Sequence, residues 1–186
     1  MPARALLLLP IALGLATPTL AQTAQDMEAW TPTATALRAN AAGISLPQTV
    51  GGLSLTKSGE ASNGGRAVDN YAQYLSQDGA VQATFYVYMP TYADASLAAY
   101  MTDKAIMERF GAKTRRTAYQ SAPVDGLPQR AIRAVYEDAA DGALTTAAGF
   151  VHAGRWIVKI RVTGPTDRRK DVLDGLDAML ASLQVE

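Results

Sequence analysis

His152 is the only histidine in a chain that has no cysteine. An imidazole acting as general base or metal ligand needs partners, because catalytic triads and metal sites are constellations. The turn residues beside it, Ala153 and Gly154, supply none. One histidine and no thiolate leave no tetrahedral zinc set. Ser54-Leu55-Thr56-Lys57 matches the Ser-x-x-Lys pattern of serine acyl-enzymes. That chemistry needs the serine at a helix N-terminus with Ser-Asp-Asn and Lys-Thr-Gly elsewhere. Neither companion occurs, and Ser54 sits in an alternating strand pattern. Glu60-Ala61-Ser62-Asn63-Gly64 lacks the first glycine of a nucleophile elbow. Gly51-Gly52 and Gly64-Gly65 are followed by no Lys-Ser/Thr, so no phosphate loop is encoded. Glu137, Asp138 and Asp141 are close carboxylates, but their loop is too short for an EF-hand, and Asp141-Gly142 is explained as turn chemistry. We assign no catalytic residue, no metal ligand and no cofactor.

Two groups of side chains keep binding chemistry open. Tyr71, Tyr86 and Tyr88 fall on one face of a hairpin with Gln73 and Thr84. Aromatic rings with polar tips suit an interface or a ligand groove. Cross-strand packing under the N-terminal segment would use the same residues. Arg133, Lys159 and Arg161 form a second, cationic group that could hold an anionic ligand. A paired surface lattice is the alternative, since the expected register sets Glu137 and Thr146 in a row with Arg161.

These residues depend on strands whose pairing is legible from Asp-Gly turns, which suit the positive φ angles of tight hairpins. A two-residue loop at Asp78-Gly79 sets Tyr71 opposite Tyr86, Gln73 opposite Thr84 and Asp69 opposite Tyr88. Val68, Ala72, Val81, Ala83, Phe85, Val87 and Met89 then form a core face. Similar loops at Asp141-Gly142 and Ala153-Gly154 give a three-strand meander. One side carries Ile132, Ala134, Tyr136, Ala147, Gly149, Val151, Trp156, Val158 and Ile160. The other carries Arg133, Val135, Glu137, Thr146, Ala148, Phe150, Ile157, Lys159 and Arg161. A one-residue slip exchanges the two faces.

Asp94 or Ser96 caps a helix running to Phe110, with Leu97, Met101, Ala105 and Phe110 as its inward stripe and Gly111 as its stop. Thr166 or Asp167 caps a last helix with the stripe Val172, Leu173, Leu176, Met179, Leu180 and Leu183. Lys113 to Gln120 reads as a further strand. The order is strand, strand, strand, helix, four strands, helix. Apolar side chains on both sides of the meander call for cover on both faces. The fold class is α+β: a layered sandwich with a mostly antiparallel sheet of about six to seven strands and two main helices.

The first 21 residues read as a secretory signal peptide: Arg4, an apolar run interrupted by Pro10 and Pro18, and a Thr19-Leu20-Ala21 end. The run is shorter than the ~20 residues a spanning helix needs, so no membrane span is expected after its removal. No cysteine follows it to take a lipid anchor. Cleavage after Ala21 leaves 165 residues with 16 basic and 17 acidic side chains. That balance gives no global attraction to nucleic acid. Residues 22–43 are Ala/Thr-rich. Thr31-Pro32 and Gly43 suggest a short helix over about 32–42, with Leu37 docking weakly. Residues 44–186 form a single α+β domain.

The element order over about Ile44 to Leu183 resembles the PsbP/Mog1-like fold, which includes periplasmic DcrB-like proteins. So does the ending Gly-Arg-Trp-Ile-Val-Lys-Ile at 154–160, followed by a Pro-containing turn and the helix to Ser182-Leu183. The resemblance implies an α/β/α sandwich used for binding or accessory roles and carries no catalytic residues over. The expectation is an exported, periplasmic or secreted, non-catalytic binding or accessory protein, with an envelope protein or small ligand as partner. The alternatives are a small envelope hydrolase or lyase using carboxylates such as Glu137 and Asp138, and an envelope structural or lipid-contacting protein.

Overall fold

The structure, a computed structural model, describes residues 29–61, 67–124 and 130–186. The expected signal peptide, the start of the N-terminal segment, the 62–65 loop and the Asp125-Gly126 turn lie outside these residues. The chain runs β1 (Trp30–Pro32), β2 (Ala36–Ala39), β3 (Ile44–Pro47), β4 (Thr49–Val50), β5 (Leu53–Glu60), β6 (Asp69–Ser76) and β7 (Gln82–Tyr88). It continues through α1 (Ala95–Phe110), β8 (Arg115–Pro123), β9 (Arg130–Ala139), β10 (Leu144–Ala153), β11 (Trp156–Pro165), α2 (Arg169–Ala181) and β12 (Gln184–Val185). The large sheet has eight strands in the order β4-β5-β6-β7-β11-β10-β9-β8, more than the six to seven expected, and a four-stranded sheet runs β1-β2-β3-β12.

Residues 30–47 correct the sequence reading. The expected helix over 32–42 is a hairpin, with Leu37 opposite Leu46 and Ala39 opposite Ile44. Thr33 explains the misreading. Its hydroxyl accepts from the Ala36 amide at 3.0 Å and builds a turn, not a helix cap. Gly43, with φ +64°, turns the hairpin instead of stopping a helix. Leu37 does not dock weakly; it is fully buried in the main core with Trp30, Ile44 and Leu46. The Trp30 indole donates to the Gly59 carbonyl at 2.9 Å and its ring lies 6.0 Å from Phe85. The small sheet therefore closes one face of the large one.

The first hairpin has the expected register: Tyr71 pairs with Tyr86, Gln73 with Thr84 and Asp69 with Tyr88. Its core face is buried at Ala72, Val81, Ala83, Phe85 and Val87. The later meander differs in two ways. The turn after β10 is Gly154-Arg155, so Ala153 meets Trp156 and Val151 meets Val158. That shift leaves the faces of β10 and β11 unchanged. β9 does change face. Leu144 pairs with Ala139 but Thr146 with Tyr136, a bulge that puts an extra residue into β9. Asp138 sits there with φ +57°. Beyond the bulge, Ala134 and Tyr136 share a face with Ala148, Phe150 and Lys159, while Arg133 and Val135 cross to the other side.

α2 covers β10 and β11 on the core side with Val172, Leu176, Met179 and Leu180 buried. Gly149 permits the approach. A Cβ there would stand 3.0–3.2 Å from the methyls of Leu180 and Leu176. Asp94 caps α1, accepting from the Ser96 and Leu97 amides at 2.7 and 3.1 Å. The face of α1 is not the expected one. Ala99, Thr102 and Ile106 are buried, whereas Leu97 and Met101 are 48% and 57% exposed. The surface beneath explains this: Ala134, Ala148, Phe150 and Tyr136 accept a helix face built mainly of small residues.

Leu37→Ala should cost about 2–5 kcal/mol by emptying a core site. Thermal unfolding of the variant should then show a melting temperature lower by roughly 2–4 °C per kcal/mol. An unchanged melting temperature would mean that the small sheet is not part of the cooperative unit.

Candidate functional site

β7 pairs with β11 along its length: Tyr88 with Ile157, Tyr86 with Lys159, Thr84 with Arg161 and Gln82 with Thr163. This contact joins the two groups singled out from sequence. On the side of the large sheet away from α2, one row runs Lys57, Gln73, Thr84, Arg161. The next runs Gly59, Tyr71, Tyr86, Lys159, and a third runs Asp69, Tyr88, Ile157. With strands about 4.8 Å apart and rows roughly 6.6 Å apart, these positions floor an area of roughly 14 by 13 Å. Across β10 and β9 the same rows continue as Ala148-Ala134 and Phe150-Ile132. α1 packs on that apolar continuation, against β9 and β10. Among the described residues neither helix packs over the polar half.

Tyr71, Tyr86, Tyr88, Lys159 and Arg161 thus share one surface. Arg133 does not. The β9 bulge turns it towards α2, where it pairs with Asp177 at 2.5 Å. Glu137 also leaves the expected row with Arg161 and pairs with Arg169 of α2 at 2.7 Å. The cationic row read from sequence therefore divides between two faces. Sequence reading missed Lys57 and Arg109 as members of the polar surface. Lys57 is placed by a bulge in β5 between Leu55 and Lys57, which no turn signal reveals. Arg109 comes from the last turn of α1. With Phe110 it forms one wall of a groove of about 200 Å3, the other walls being Gln82, Thr84, Arg161 and Thr163.

The electrostatics of this surface are uneven. The Lys159 ammonium lies 4.2 Å from the centre of the Tyr86 ring and 5.8 Å from that of Tyr88. Burial first, and then the neighbouring Arg161 charge, hold its pKa below the usual lysine value, with Asp69 opposing. Burial, reinforced by Asp69, pushes the Tyr88 phenol up to about 12. The Lys57 ammonium stands 5.9 Å from the Tyr71 ring. Among the described residues ten ion pairs are made elsewhere. None uses Lys57, Arg109, Lys159 or Arg161, so among the described residues positive charge collects here with no ion pair to a carboxylate.

The other candidates are placed plainly. Asp138 pairs with Arg115 at 2.6 Å, so it and Glu137 are held by arginines from different elements. His152 contacts the Gly154 carbonyl at 2.5 Å beside the turn. Trp156 is buried next to Ala153, while Leu176 and Leu180 lie over Gly149. Among the described residues no group of three or more His, Asp or Glu side chains could hold a metal ion, and no helix is long and apolar enough to cross a membrane.

This architecture is that of a PsbP-like fold. The chain superposes on the solution structure of cyanobacterial PsbP (CyanoP) from Synechocystis sp. PCC 6803 with a TM-score of 0.57. The match covers 84% of this chain and 95% of that one at 14% sequence identity. Likeness at that identity is likeness of fold alone. No family model matches the sequence, and no curated protein matches it.

Tyr88 offers a test of how closed this surface is. Its folded pKa lies above the ordinary 10.0, so the neutral phenol favours the folded state. That contribution is complete below pH 10.0 and is lost as pH rises through about 12. Urea unfolding midpoints across this window should fall less steeply for Tyr88→Phe than for the parent chain. Parallel slopes would show Tyr88 to be solvated in the folded state.

Proposed function

We propose that this chain is an exported, non-catalytic binding or accessory domain, periplasmic or secreted, which contacts its partner through the open half of the large sheet. The observation that carries this reading is the joined surface of Tyr71, Tyr86, Tyr88, Lys159 and Arg161, which neither helix covers. Tyrosine and arginine are enriched where protein interfaces carry binding energy. A sheet face of half-buried aromatic rings beside cations offers a partner both apolar area and charge. The carboxylate hydrolase alternative loses ground, because Glu137 and Asp138 are each engaged by an arginine and Glu137 does not line the groove that holds Asp138.

An envelope structural or lipid-contacting role is favoured by a different feature. The outer face of α1 exposes Leu97, Tyr100 and Met101, with Tyr92 just ahead of the helix. One experiment separates the two readings. A photo-crosslinking residue is placed at Tyr86 in one variant and at Met101 in another, and both are irradiated in cells that make the chain. The proposed contact surface predicts a specific adduct from Tyr86. Adducts from Met101 alone would move the contact to α1 and remove the sheet-face reading.

Export has its own readout. The mass of the protein recovered from the extracytoplasmic fraction should correspond to a chain beginning at Gln22. Recovery of the uncleaved chain from the cytoplasm would overturn the exported reading.

A further inference from the structure

We propose that the partner presents an acidic polypeptide segment, whose carboxylates enter the groove between Arg109 of α1 and Arg161 of β11 while its flanking residues lie across the tyrosine rows. The inference rests on the reading of the open sheet face as a contact surface. It adds the chemistry of what binds there.

Charge complementarity is the first argument. Lys57, Arg109, Lys159 and Arg161 border this one surface and make no ion pair with a carboxylate among the described residues, although carboxylates pair with basic side chains over much of the rest of the molecule. Lys159 and Arg161 stand two residues apart on one strand and repel each other, an arrangement that an incoming anion relieves. Asp69 is the acid of the third row, beside Tyr88 and away from the groove. The groove itself combines two guanidinium groups with the hydroxyls of Thr84 and Thr163 and the amide of Gln82. The Thr163 and Thr146 hydroxyls are 2.7 Å apart, and Thr146 donates to the Val162 carbonyl. The Thr163 hydroxyl is thus engaged within the sheet, and the anion's donors are the arginines, Thr84 and Gln82.

Shape is the second argument. At about 200 Å3 the groove is smaller than the ~300–1,000 Å3 that enclose a small-molecule ligand. It admits one or two carboxylate side chains. The tyrosine floor beside it is wide enough for several residues of an extended chain. Ring faces carrying cations, as at Tyr86 and Tyr71, hold Lys159 and Lys57 in place to meet further acids along that chain.

The test uses the isotope-labelled chain and three probes: a peptide alternating Glu and Gly, its Lys/Gly counterpart, and inorganic phosphate. The Glu/Gly peptide should shift the amide signals of Thr84, Arg109, Arg161 and Thr163 and lose affinity as salt rises. Arg109→Glu with Arg161→Glu should weaken it about tenfold or more, while Lys113→Glu with Arg115→Glu leaves it unchanged. The inference is overturned if the Lys/Gly peptide shifts the same signals, if phosphate matches the Glu/Gly peptide at equal concentration, or if the shifts fall on other surfaces. If a Tyr86 crosslink forms while the Glu/Gly peptide fails to bind, the acidic chemistry is wrong and the contact surface stands. If neither occurs, both fall.

Discussion

The antiparallel pairing of β7 with β11 is the contact on which the rest of the molecule depends. It joins strands whose paired residues are 69 to 81 positions apart in sequence, across α1, β8, β9 and β10. Without it the chain would hold two separate meanders, each with an exposed edge and half a core. With it, Phe85 meets Ile160, Val87 meets Val158 and Ala83 meets Val162, and a continuous apolar face forms from β6 to β10. The same pairing sets Tyr86 beside Lys159 on the opposite face. One ladder therefore creates both the core and the candidate surface.

The two faces of the large sheet are treated differently because their rows differ in composition. On the core side, alternate positions of β6, β7, β10 and β11 are mostly apolar, with Asn70 and Thr145 buried among them. They are covered partly by α2 and partly by the small sheet, through Trp30, Leu37, Ile44 and Leu46. On the other side the β9–β10 portion is mainly small or apolar, and α1 packs there, reaching β7 and β11 only at the groove beside Arg109 and Phe110. Its packing stripe of Ala99, Thr102 and Ile106 is short-chained, so the helix sits close over Ala134 and Ala148 and its longer apolar residues remain in solvent. The half-covered sheet follows from where Tyr, Lys, Arg, Gln and Thr replace Ala and Phe along the rows. A helix laid over Lys159 and Arg161 would bury two like charges without partners.

Likeness of fold to cyanobacterial PsbP gives the scaffold its architecture and no chemistry, in keeping with the general separation of fold from site. Whatever this chain does is encoded in side chains grafted onto the scaffold. The polar half-sheet and the outer face of α1 are where those side chains depart most from a sealed surface.

The sequence by itself determined much of what depended on local pattern and tight turns. The Asp78-Gly79 signal pointed to the pairing of Tyr71 with Tyr86, although the turn itself is built on Gln77-Asp78 with Gly79 at positive φ. The period-two strands, the Asp94 cap and the α2 stripe were legible for the same reason: each is settled within a few residues. Other local signals misled. Thr31-Pro32 and Gly43 suit a helix or a hairpin, and the decision fell to Leu37 and Ala39, which are buried in one core with residues of the large sheet. The Asp141-Gly142 turn pointed to the right hairpin, but the bulge at Glu137–Asp138 moved Arg133 to the opposite face. Tertiary structure alone decided which hairpins lie side by side. Strand partners distant in sequence are chosen by how well whole faces bury together, and no short window of residues contains that information. So it was the fold, through β7 and β11, that brought Tyr86 to Lys159 and Arg109 to Arg161.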